Sequence, residues 1–228
     1  MIGIIGAMPV EIESLLNKMK NKSEFIKSNI KYIKGKIEDK ECVVAQSGPG
    51  KVNAAICAQT MILEFSPDYI INTGVAGSMT NNLHISDIAI ATNVAQHDID
   101  TSAIGDPIGL IPGINIRKIP CSKYLINLAI NSLNKMNLRY SKGTILTGDQ
   151  FINNMDRKKY LKEVFDGIAC EMEGGSIGQV CYINDVKFIV IRSISDGANQ
   201  DSACDYEKFV KISAEKSCEL VLNLIKEI

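Results

Sequence analysis

Acidic side chains stand where predicted strands end, so their carboxyl groups can be held partly away from water. Asp196 follows the largely apolar segment 188–195, where a solvent-facing surface is not expected. Desolvation raises the pKa of a carboxyl group, which suits a general acid that works near neutral pH. An aspartate beside Gly197 could instead form an Asx turn or cap a helix, so both readings of Asp196 stay open.

Further carboxylates lie near predicted strand-to-helix junctions. Glu171 and Glu173 come directly after the apolar segment 168–170, and Glu11 lies near the start of the first predicted helix. Such acids could accept hydrogen bonds from the hydroxyl groups of a sugar, or could interact only with the dipole of the following helix. Their joint occurrence with Arg192 inside an apolar strand favours a shared site.

Four predicted strands run into glycine-rich segments, namely 6–11, 47–51, 72–78 and 194–198. In open α/β sheets, ligands bind at the carboxyl ends of strands, and glycine lets the backbone approach a ligand closely. Each glycine turn taken alone is typical of an ordinary loop, but the four together predict one pocket. Neither common nucleotide-phosphate motif is present, because Lys51 is followed by valine and no G-x-G-x-x-G follows a strand.

An aromatic residue follows another predicted strand. Phe151 could be a core residue, or it could stack on a planar base while the backbone of Ile152 binds the edge of that base. His84 and His97 have no second histidine or cysteine at ligand spacing, so the sequence predicts no metal site.

The charge balance narrows the class of ligand. The 228 residues carry 25 basic and 26 acidic side chains, a formal net charge of −1, which argues against a nucleic acid partner. Arginine is absent from the chain before Arg117. Because arginine is the usual bidentate grip for phosphate, an anion site in the first half would need lysine, backbone N–H groups or helix ends.

The spacing of the cysteines and the hydropathy of the chain indicate the cellular compartment of the protein. The seven cysteines are widely spaced without a C-x-x-C pair, which favours reduced, buried thiols over a disulfide framework or a zinc site. The apolar N-terminal segment reads as a strand, and no apolar run approaches the roughly 18–20 residues that cross a bilayer. We therefore expect a cytoplasmic protein without a membrane partner.

Short β-branched runs alternate with longer amphipathic stretches, a pattern typical of an α/β domain. The absence of a long linker predicts one domain, 1–228. The second and third strands read as a hairpin, so the sheet should be mixed, and the long loop 95–120 should be functional or part of an interface. We expect strands at 2–5, 30–37, 42–46, 69–72, 85–94, 143–147, 168–170 and 188–193, and helices at 10–19, 52–64, 123–136, 156–164, 174–183 and 206–225.

Six segments in the same order resemble the bacterial 5′-methylthioadenosine/S-adenosylhomocysteine nucleosidases over nearly the whole chain. They are 1–8 with Glu11, 47–55, 70–77, 148–152, 171–173 and 192–196. The resemblance implies hydrolysis of the N-glycosidic bond of both nucleosides, with 5′-deoxyadenosine as a further candidate, in methionine salvage. It also implies a homodimer without cofactor or metal and a nucleoside phosphorylase-like fold, three-layer α/β/α around a mixed, partly barrel-like sheet.

The same resemblance implies a role for each matching residue. Asp196 is similar to the acid that protonates adenine N7, Glu11 to the residue that activates water, and Glu173 to the acceptor of ribose hydroxyl groups. Glu171 and Arg192 resemble a supporting network. The implied substrate-binding residues are Ala7, Met8, Gly77, Phe151 as the stacking residue, Ile152 as the backbone reader of adenine, Met172 beside the ribose, Ser195 orienting the acid, Ala198, and Tyr206 on the segment that closes over the substrate tail.

The sequence departs from the family pattern near the substrate tail. Val75 stands where serine is common, and Ile104 and Asp106 stand where aromatic residues are common, in a wall partly donated across the dimer. The preference among nucleosides therefore stays open. An aminodeoxyfutalosine nucleosidase, a purine nucleoside phosphorylase and a non-catalytic nucleoside-binding protein are the alternatives, and the scarcity of arginine disfavours the phosphorylase.

Overall fold

A computed structural model describes residues 1–197 and 202–228. Over these residues one mixed sheet contains every strand. Its order is β10-β6-β8-β9-β5-β1-β4-β3-β2, with β7 paired to β6. The strands are β1 (Ile2–Gly6), β2 (Lys20–Lys27), β3 (Ile30–Ile37), β4 (Lys40–Gln46), β5 (Tyr69–Ser78), β6 (Ile88–Gln96), β7 (Ile119–Pro120), β8 (Tyr140–Thr147), β9 (Gly167–Glu171) and β10 (Lys187–Asp196).

An additional pairing closes half of this sheet into a barrel. β10 pairs with β6 at one side and with β5 at the other, so β10, β6, β8, β9 and β5 form a ring. β5 and β10 are parallel, with Gly74 opposite Arg192 and Gly77 opposite Asp196. The closure places residues from distant parts of the chain side by side, and it confirms the predicted mixed, partly barrel-like sheet.

Helices cover the sheet in two groups, which gives the predicted helix–sheet–helix layers. α2 packs on α5, while α1 and α3 pack on α6, which also contacts β5 and β10. Side-chain oxygens of Ser122 and Asn154 accept N–H bonds at the starts of α3 and α4, as polar N-cap residues do. The helices are α1 (Glu13–Lys18), α2 (Lys51–Phe65), α3 (Lys123–Lys135), α4 (Met155–Phe165), α5 (Gly174–Ile183) and α6 (Ser202–Glu227), with 3-10 turns at Pro9–Glu11 and Ser102–Ile104.

Some predicted elements differ from those observed. β2 was not predicted because all eight of its residues are exposed at the sheet edge, so it shows no alternation of apolar and polar residues. The predicted helix 10–19 is wrong at its start, where a 3-10 turn ends at Glu11 before α1 begins at Glu13. The predicted helix 206–225 lies within α6, whose apolar residues at helical spacing mostly pack inward, although the Ile212 side chain is exposed.

Apolar residues fill the barrel, and most strand positions in β1, β5, β6 and β10 are buried. Strands buried on both faces read as continuous apolar runs rather than alternating ones. Polar groups inside such strands must therefore find partners within the protein. The buried polar groups and the groups that they bond to form the candidate site.

Candidate active site

An open cleft of about 520 Å³ lies beside the carboxyl-terminal parts of β1, β5, β9 and β10. That volume includes solvent at the mouth, so the site is an open cleft rather than an enclosed cavity. β1, β5 and β10 run parallel to one another, which brings their carboxyl ends to the same edge. The predicted convergence of strand ends on one pocket is confirmed for these segments.

The Glu11 carboxylate is buried and held by backbone N–H groups. One oxygen accepts from Ala7 at 2.7 Å and Met8 at 2.9 Å, and the other accepts from Val75 at 3.0 Å. Burial raises the pKa of Glu11, while the charge of Arg192 and the three N–H donors oppose that rise. Glu11 is thus a fixed carboxylate with raised basicity at the wall of the cleft.

Asp196 is the last residue of β10 and is 2% exposed. The pairing of β10 with β5 shifts register between Ile194 and Asp196, which leaves Ser195 as a bulge residue. Bulges re-aim side chains next to functional sites. The Ser195 hydroxyl donates to Asp196 Oδ1 at 2.9 Å and so fixes the carboxyl group at the cleft.

Two glycines of β5 leave room for these two carboxylates. A Cβ at Gly74 would lie 2.5 Å from Glu11 Oε1, and one at Gly77 would lie 2.6 Å from Asp196 Oδ2. The prediction of a glycine turn over 72–78 was wrong, because β5 continues through Ser78 and these two glycines allow close approach of side chains.

Arg192 and Glu171 form a buried polar framework behind the cleft. The guanidinium donates to Asn72 Oδ1 at 2.6 Å and to the Glu171 carboxylate. Glu171 also accepts from the Thr147 hydroxyl and from the Gly174 N–H, the latter at 2.7 Å. Both Glu171 oxygens therefore have donors within the protein, which matches a supporting role.

Glu173 is the N-cap residue of α5 and faces the cleft. Its Oε1 accepts from the Gly50 N–H at 2.9 Å, and its Oε2 lies 3.8 Å from an Arg192 nitrogen. Burial and the neighbouring Glu171 charge raise the pKa of Glu173 to about 7, against the lowering effects of Arg192 and the Gly50 N–H. Glu173 therefore keeps its proton to a higher pH than an ordinary glutamate.

An aromatic pair borders the opening. The rings of Phe151 and Tyr206 meet edge to face, with centroids 5.6 Å apart, and the Tyr206 hydroxyl donates to Met8 Sδ at 3.2 Å. Phe151 is 48% exposed, more than a core phenylalanine would be. Its position favours the reading as a stacking residue over the reading as core.

Helix α6, which carries Tyr206, is attached to β10 and β5 by buried hydroxyl groups. Ser213 donates to the Ile194 carbonyl at 2.7 Å, and the Ser217 hydroxyl accepts from the Gly74 N–H at 3.3 Å. These contacts could not be predicted, because a serine within an apolar helix face has no distinctive spacing.

Most of the predicted site residues line the cleft together. These are Ala7, Met8, Glu11, Gly77, Phe151, Glu171, Met172, Glu173, Ser195, Asp196 and Tyr206. Arg192 lies behind the carboxylates at 1% exposure, and Ile152 lines an adjoining cavity with Met79 and Lys158. Ala198 lies outside the described residues.

Pro49 and Ala76 line the cleft from the predicted segments 47–51 and 72–78. The sequence did not identify Cys170, which also lines it, or Lys158. Lys158 is 5% exposed and donates to the Gly197 carbonyl at 2.7 Å. No signal marked Lys158, because it stands among other charged residues of an amphipathic helix.

The long loop does not reach the cleft of its own chain. Ile104 is 81% exposed, and Asp106 accepts a hydrogen bond from the Thr101 hydroxyl at 2.8 Å. Neither residue is among those that line the cleft. Their predicted position in the pocket wall therefore depends on a second copy of the chain.

Within the part of the chain that the structure describes, no group of three or more His, Cys, Asp or Glu residues could hold a metal ion. No helix in that part is long and apolar enough to cross a membrane. His97 is buried, which lowers its pKa. Three carboxylates around one cleft can move protons and stabilise positive charge without a metal.

The chain is similar to known proteins over its whole length. A family model of the phosphorylase superfamily matches residues 1–226. A Staphylococcus aureus (strain JH9) protein named 5′-methylthioadenosine/S-adenosylhomocysteine nucleosidase is 38% identical over 229 residues, with 100% of both chains covered.

Solved structures agree with this match. A Neisseria meningitidis nucleosidase of the same name, in complex with methylthio-immucillin-A, has a TM-score of 0.96 at 31% identity, covering 100% of this chain and 99% of that chain. A Helicobacter pylori structure described as futalosine hydrolase has a TM-score of 0.96 at 35% identity, covering 100% and 97%. The predicted fold and the predicted resemblance are confirmed. The chain therefore belongs to the phosphorylase superfamily and, within it, to the 5′-methylthioadenosine/S-adenosylhomocysteine nucleosidases, a family of N-glycosidic hydrolases.

Proposed function

We propose that this protein hydrolyses the N-glycosidic bond of 5′-methylthioadenosine and S-adenosylhomocysteine, releasing adenine and the thio-ribose product. The observation that carries the proposal is the set of three buried carboxylates around one cleft, those of Glu11, Glu173 and Asp196. Cleavage of a bond between a sugar and a base passes through an oxocarbenium-like state, which needs a protonated leaving group and nearby negative charge. The three acids supply both.

Each carboxylate has a distinct task in this proposal. Asp196, oriented by Ser195, protonates adenine N7 so that the base leaves as a neutral molecule. Glu11 accepts a proton from the attacking water, for which its raised pKa and three fixed N–H contacts are suited. Glu173 accepts hydrogen bonds from the ribose hydroxyl groups and stabilises the cationic sugar.

Apolar residues would hold the rest of the nucleoside. Phe151 is exposed at the opening and can stack on adenine, with the Ile152 backbone at the base edge. Met172 and Met8 line the same cleft and can contact the ribose and its sulfur substituent. Tyr206 would cover the substrate tail from α6.

The lining of the cleft argues against phosphorolysis. No lysine or arginine is among the described residues that line it. The nearby Arg192 is 1% exposed and donates to Asn72 and Glu171, so it presents no free fork to phosphate. Glu11 would also repel a phosphate ion at the position where water should attack.

Adenine release from each nucleoside, followed in phosphate-free buffer, tests the proposal. The wild-type protein should release adenine without phosphate, and Asp196→Asn should slow the release by roughly 100-fold or more, the usual contribution of a general acid. Activity that requires added phosphate would instead support a phosphorylase. Binding of substrate without adenine release by the wild-type protein would support a non-catalytic binder.

A second substrate class deserves the same assay. The Helicobacter pylori structure described as futalosine hydrolase matches this chain with a TM-score of 0.96. The adenine and ribose of aminodeoxyfutalosine would meet the same residues as those of methylthioadenosine, because the two nucleosides differ only in the 5′ substituent. Turnover on 5′-deoxyadenosine and aminodeoxyfutalosine beside the two thio-nucleosides would rank the candidates.

We infer further that the active form is a homodimer. Val52, Ile56 and Leu63 are exposed at helical spacing on α2, and Ile183 is exposed at the end of the neighbouring α5. A grouped exposed apolar surface is typical of a protein interface. Light scattering behind a sizing column, compared between wild type and Leu63→Glu, would test this assembly.

Three further proposals concern the domain count, the cellular compartment and the pathway. We propose one domain over 1–228, since strands from both ends of the chain share one sheet. Six cysteines of the described chain are free and buried, which agrees with a reducing compartment such as the cytoplasm. The proposed reaction recovers adenine and the thio-ribose in methionine salvage and requires no cofactor.

A further inference from the structure

Three loops meet at the N-terminal end of α2, beside the cleft. The Lys51 Nζ lies 2.6 Å from Asp98 Oδ1, and the Asp149 N–H donates to Asp98 Oδ2 at 3.0 Å. The Lys51 N–H donates in turn to Asp149 Oδ1 at 2.7 Å. These three residues, which we call the loop cluster, form a closed ring of contacts between segments that follow β4, β6 and β8.

Within the loop cluster Asp149 is exposed, but the Lys51–Asp98 ion pair is more sheltered than an ordinary surface pair. The side chains of Lys51 and Asp98 are only 19% and 17% exposed. Beneath them the buried His97 ring packs on the backbone, so that a Cβ at Gly148 would lie 2.4 Å from His97 Cε1. Exposed pairs contribute little because water and salt screen them, whereas a sheltered pair with backbone donors fixes geometry.

One hydrogen bond connects the loop cluster to the cleft. Gly50, at a φ of +95°, is the N-cap residue of α2, and its N–H donates to Glu173 Oε1 at 2.9 Å. The next N–H, that of Lys51, donates to Asp149. The N-terminal end of this 15-residue helix, where the helix dipole is positive, thus interacts with two carboxylates. One is in the cleft and the other belongs to the loop cluster.

The same contacts fix the segment that carries the aromatic residue of the cleft. Asp149 lies two positions before Phe151, and both its N–H and its carboxylate are held by the loop cluster. A displacement of Asp98 would therefore move the α2 terminus and the Phe151 segment together.

We propose that Lys51, Asp98 and Asp149 are positioning residues, which hold the α2 terminus against Glu173 and the Phe151 segment over the cleft. None of the three lines the cleft, so they act through the residues that do. The inference rests on the proposed function, because it takes Glu173 as the acceptor of the ribose hydroxyl groups.

The charge state of Glu173 reports whether the α2 terminus stays in place. Glu173 faces Glu171 from β9, Arg192 from β10, Glu11 from the first 3-10 turn and Tyr206 from α6. Among the influences on its pKa, the Gly50 N–H bond lowers it. Loss of that bond must therefore raise the pKa of Glu173 further above its ordinary value.

The test uses Lys51→Met, Asp98→Asn and the double variant. Asp98→Asn keeps the shape of the side chain and an acceptor for the Asp149 N–H while it removes the charge. Each single variant should lower kcat/KM by about tenfold, and the acid limb of its pH profile should move up by roughly half to one pH unit. The double variant should lose little more than either single variant, because both remove one shared interaction.

A control ion pair joins the last residue of β2 to the other end of the same helix. Lys27 pairs with Glu64 at 3.0 Å near the other end of α2, away from the cleft. Lys27→Met should leave kcat/KM and the pH profile unchanged. Equal effects of Lys27→Met and Lys51→Met would show a general loss of helix stability and would overturn the proposal.

A titration without substrate separates this inference from the proposed function. Carbon-13 NMR of labelled glutamate carboxyl groups, with Glu173→Gln to assign the signal, measures the pKa of Glu173 directly. A higher pKa in folded Asp98→Asn supports the loop cluster even if the wild-type protein releases no adenine. An unchanged pKa in both Asp98→Asn and Lys51→Met refutes it even if the wild-type protein is an active nucleosidase.

Discussion

The substitution Gly74→Ala tests whether the glycines of β5 make room for catalytic carboxylates. The added Cβ would stand 2.5 Å from Glu11 Oε1 and 3.0 Å from its carboxyl carbon. Gly74 has no positive φ, so alanine fits its backbone conformation. The only large consequence is that the Glu11 carboxylate must move away from β5.

The size of the effect follows from the contact that is lost. Moving Glu11 away from β5 breaks the hydrogen bond from the Val75 N–H, which is 3.0 Å long. A hydrogen bond to a charged group contributes about 1.5–3 kcal/mol. If that bond fixes the base for the attacking water, its loss should lower kcat by roughly 10- to 150-fold.

Steady-state adenine release in phosphate-free buffer measures the change, with thermal unfolding measured on the same samples. Gly143→Ala is the control, because its Cβ would meet Ile168 Cγ2 at 2.7 Å, a comparable clash in β8 without a carboxylate. We expect kcat to fall in Gly74→Ala and to hold in Gly143→Ala. A Gly74→Ala variant with kcat within twofold of wild type would refute the argument about space for Glu11.

Three further predictions concern the buried polar groups. Because burial raises the pKa of Glu173 from 4.5 to about 7, its ionisation costs stability, so the wild-type protein should lose stability as pH rises through that range. Glu173→Gln should then unfold at a higher temperature than wild type at pH 8, in calorimetry, while adenine release falls. Arg192→Met leaves Glu171 as a buried charge without its partner, and denaturant unfolding should show a loss of about 3–5 kcal/mol. Ser217→Ala removes the acceptor of the Gly74 N–H, which should cost about 1 kcal/mol of unfolding free energy. The midpoint temperature of thermal unfolding should therefore fall by about 2–4 °C.

The sequence predicted which residues meet at the cleft better than it predicted the backbone that presents them. Glu171, Glu173 and Asp196 could be identified because acids directly after apolar strands are unusual, and Glu11 because it lies at the end of a glycine-containing segment that follows a strand. The extent of β5 could not be predicted, because Gly74 and Gly77 look the same whether they form a turn or admit a neighbouring side chain. The two cases differ in whether Glu11 and Asp196 pack against these glycines, and both acids are distant from them in the chain.

Closure of the barrel was also beyond prediction from local patterns. The pairing of β5 with β10 joins residues more than a hundred positions apart, and no short-range signal specifies it. Likewise, Lys51 and Asp98 were read as parts of separate loops, because sequence spacing carries no information on their contact. Only the family resemblance, which covers nearly the whole chain in order, predicted a partly barrel-like sheet.

The barrel closure explains how one cleft can contain several carboxylates without losing the fold. The parallel pairing of β5 and β10 sets Gly74 beside Arg192 and Gly77 beside Asp196. Glu11 and Asp196 each meet β5 at a glycine, and backbone N–H groups or Arg192 offset part of the cost of burying Glu11 and Glu171. The compensation is incomplete, since the pKa values of Glu11 and Glu173 remain raised. That residual cost is a property the proposed reaction requires, because a carboxylate fully satisfied by the protein would have no affinity left for a water proton or a cationic sugar.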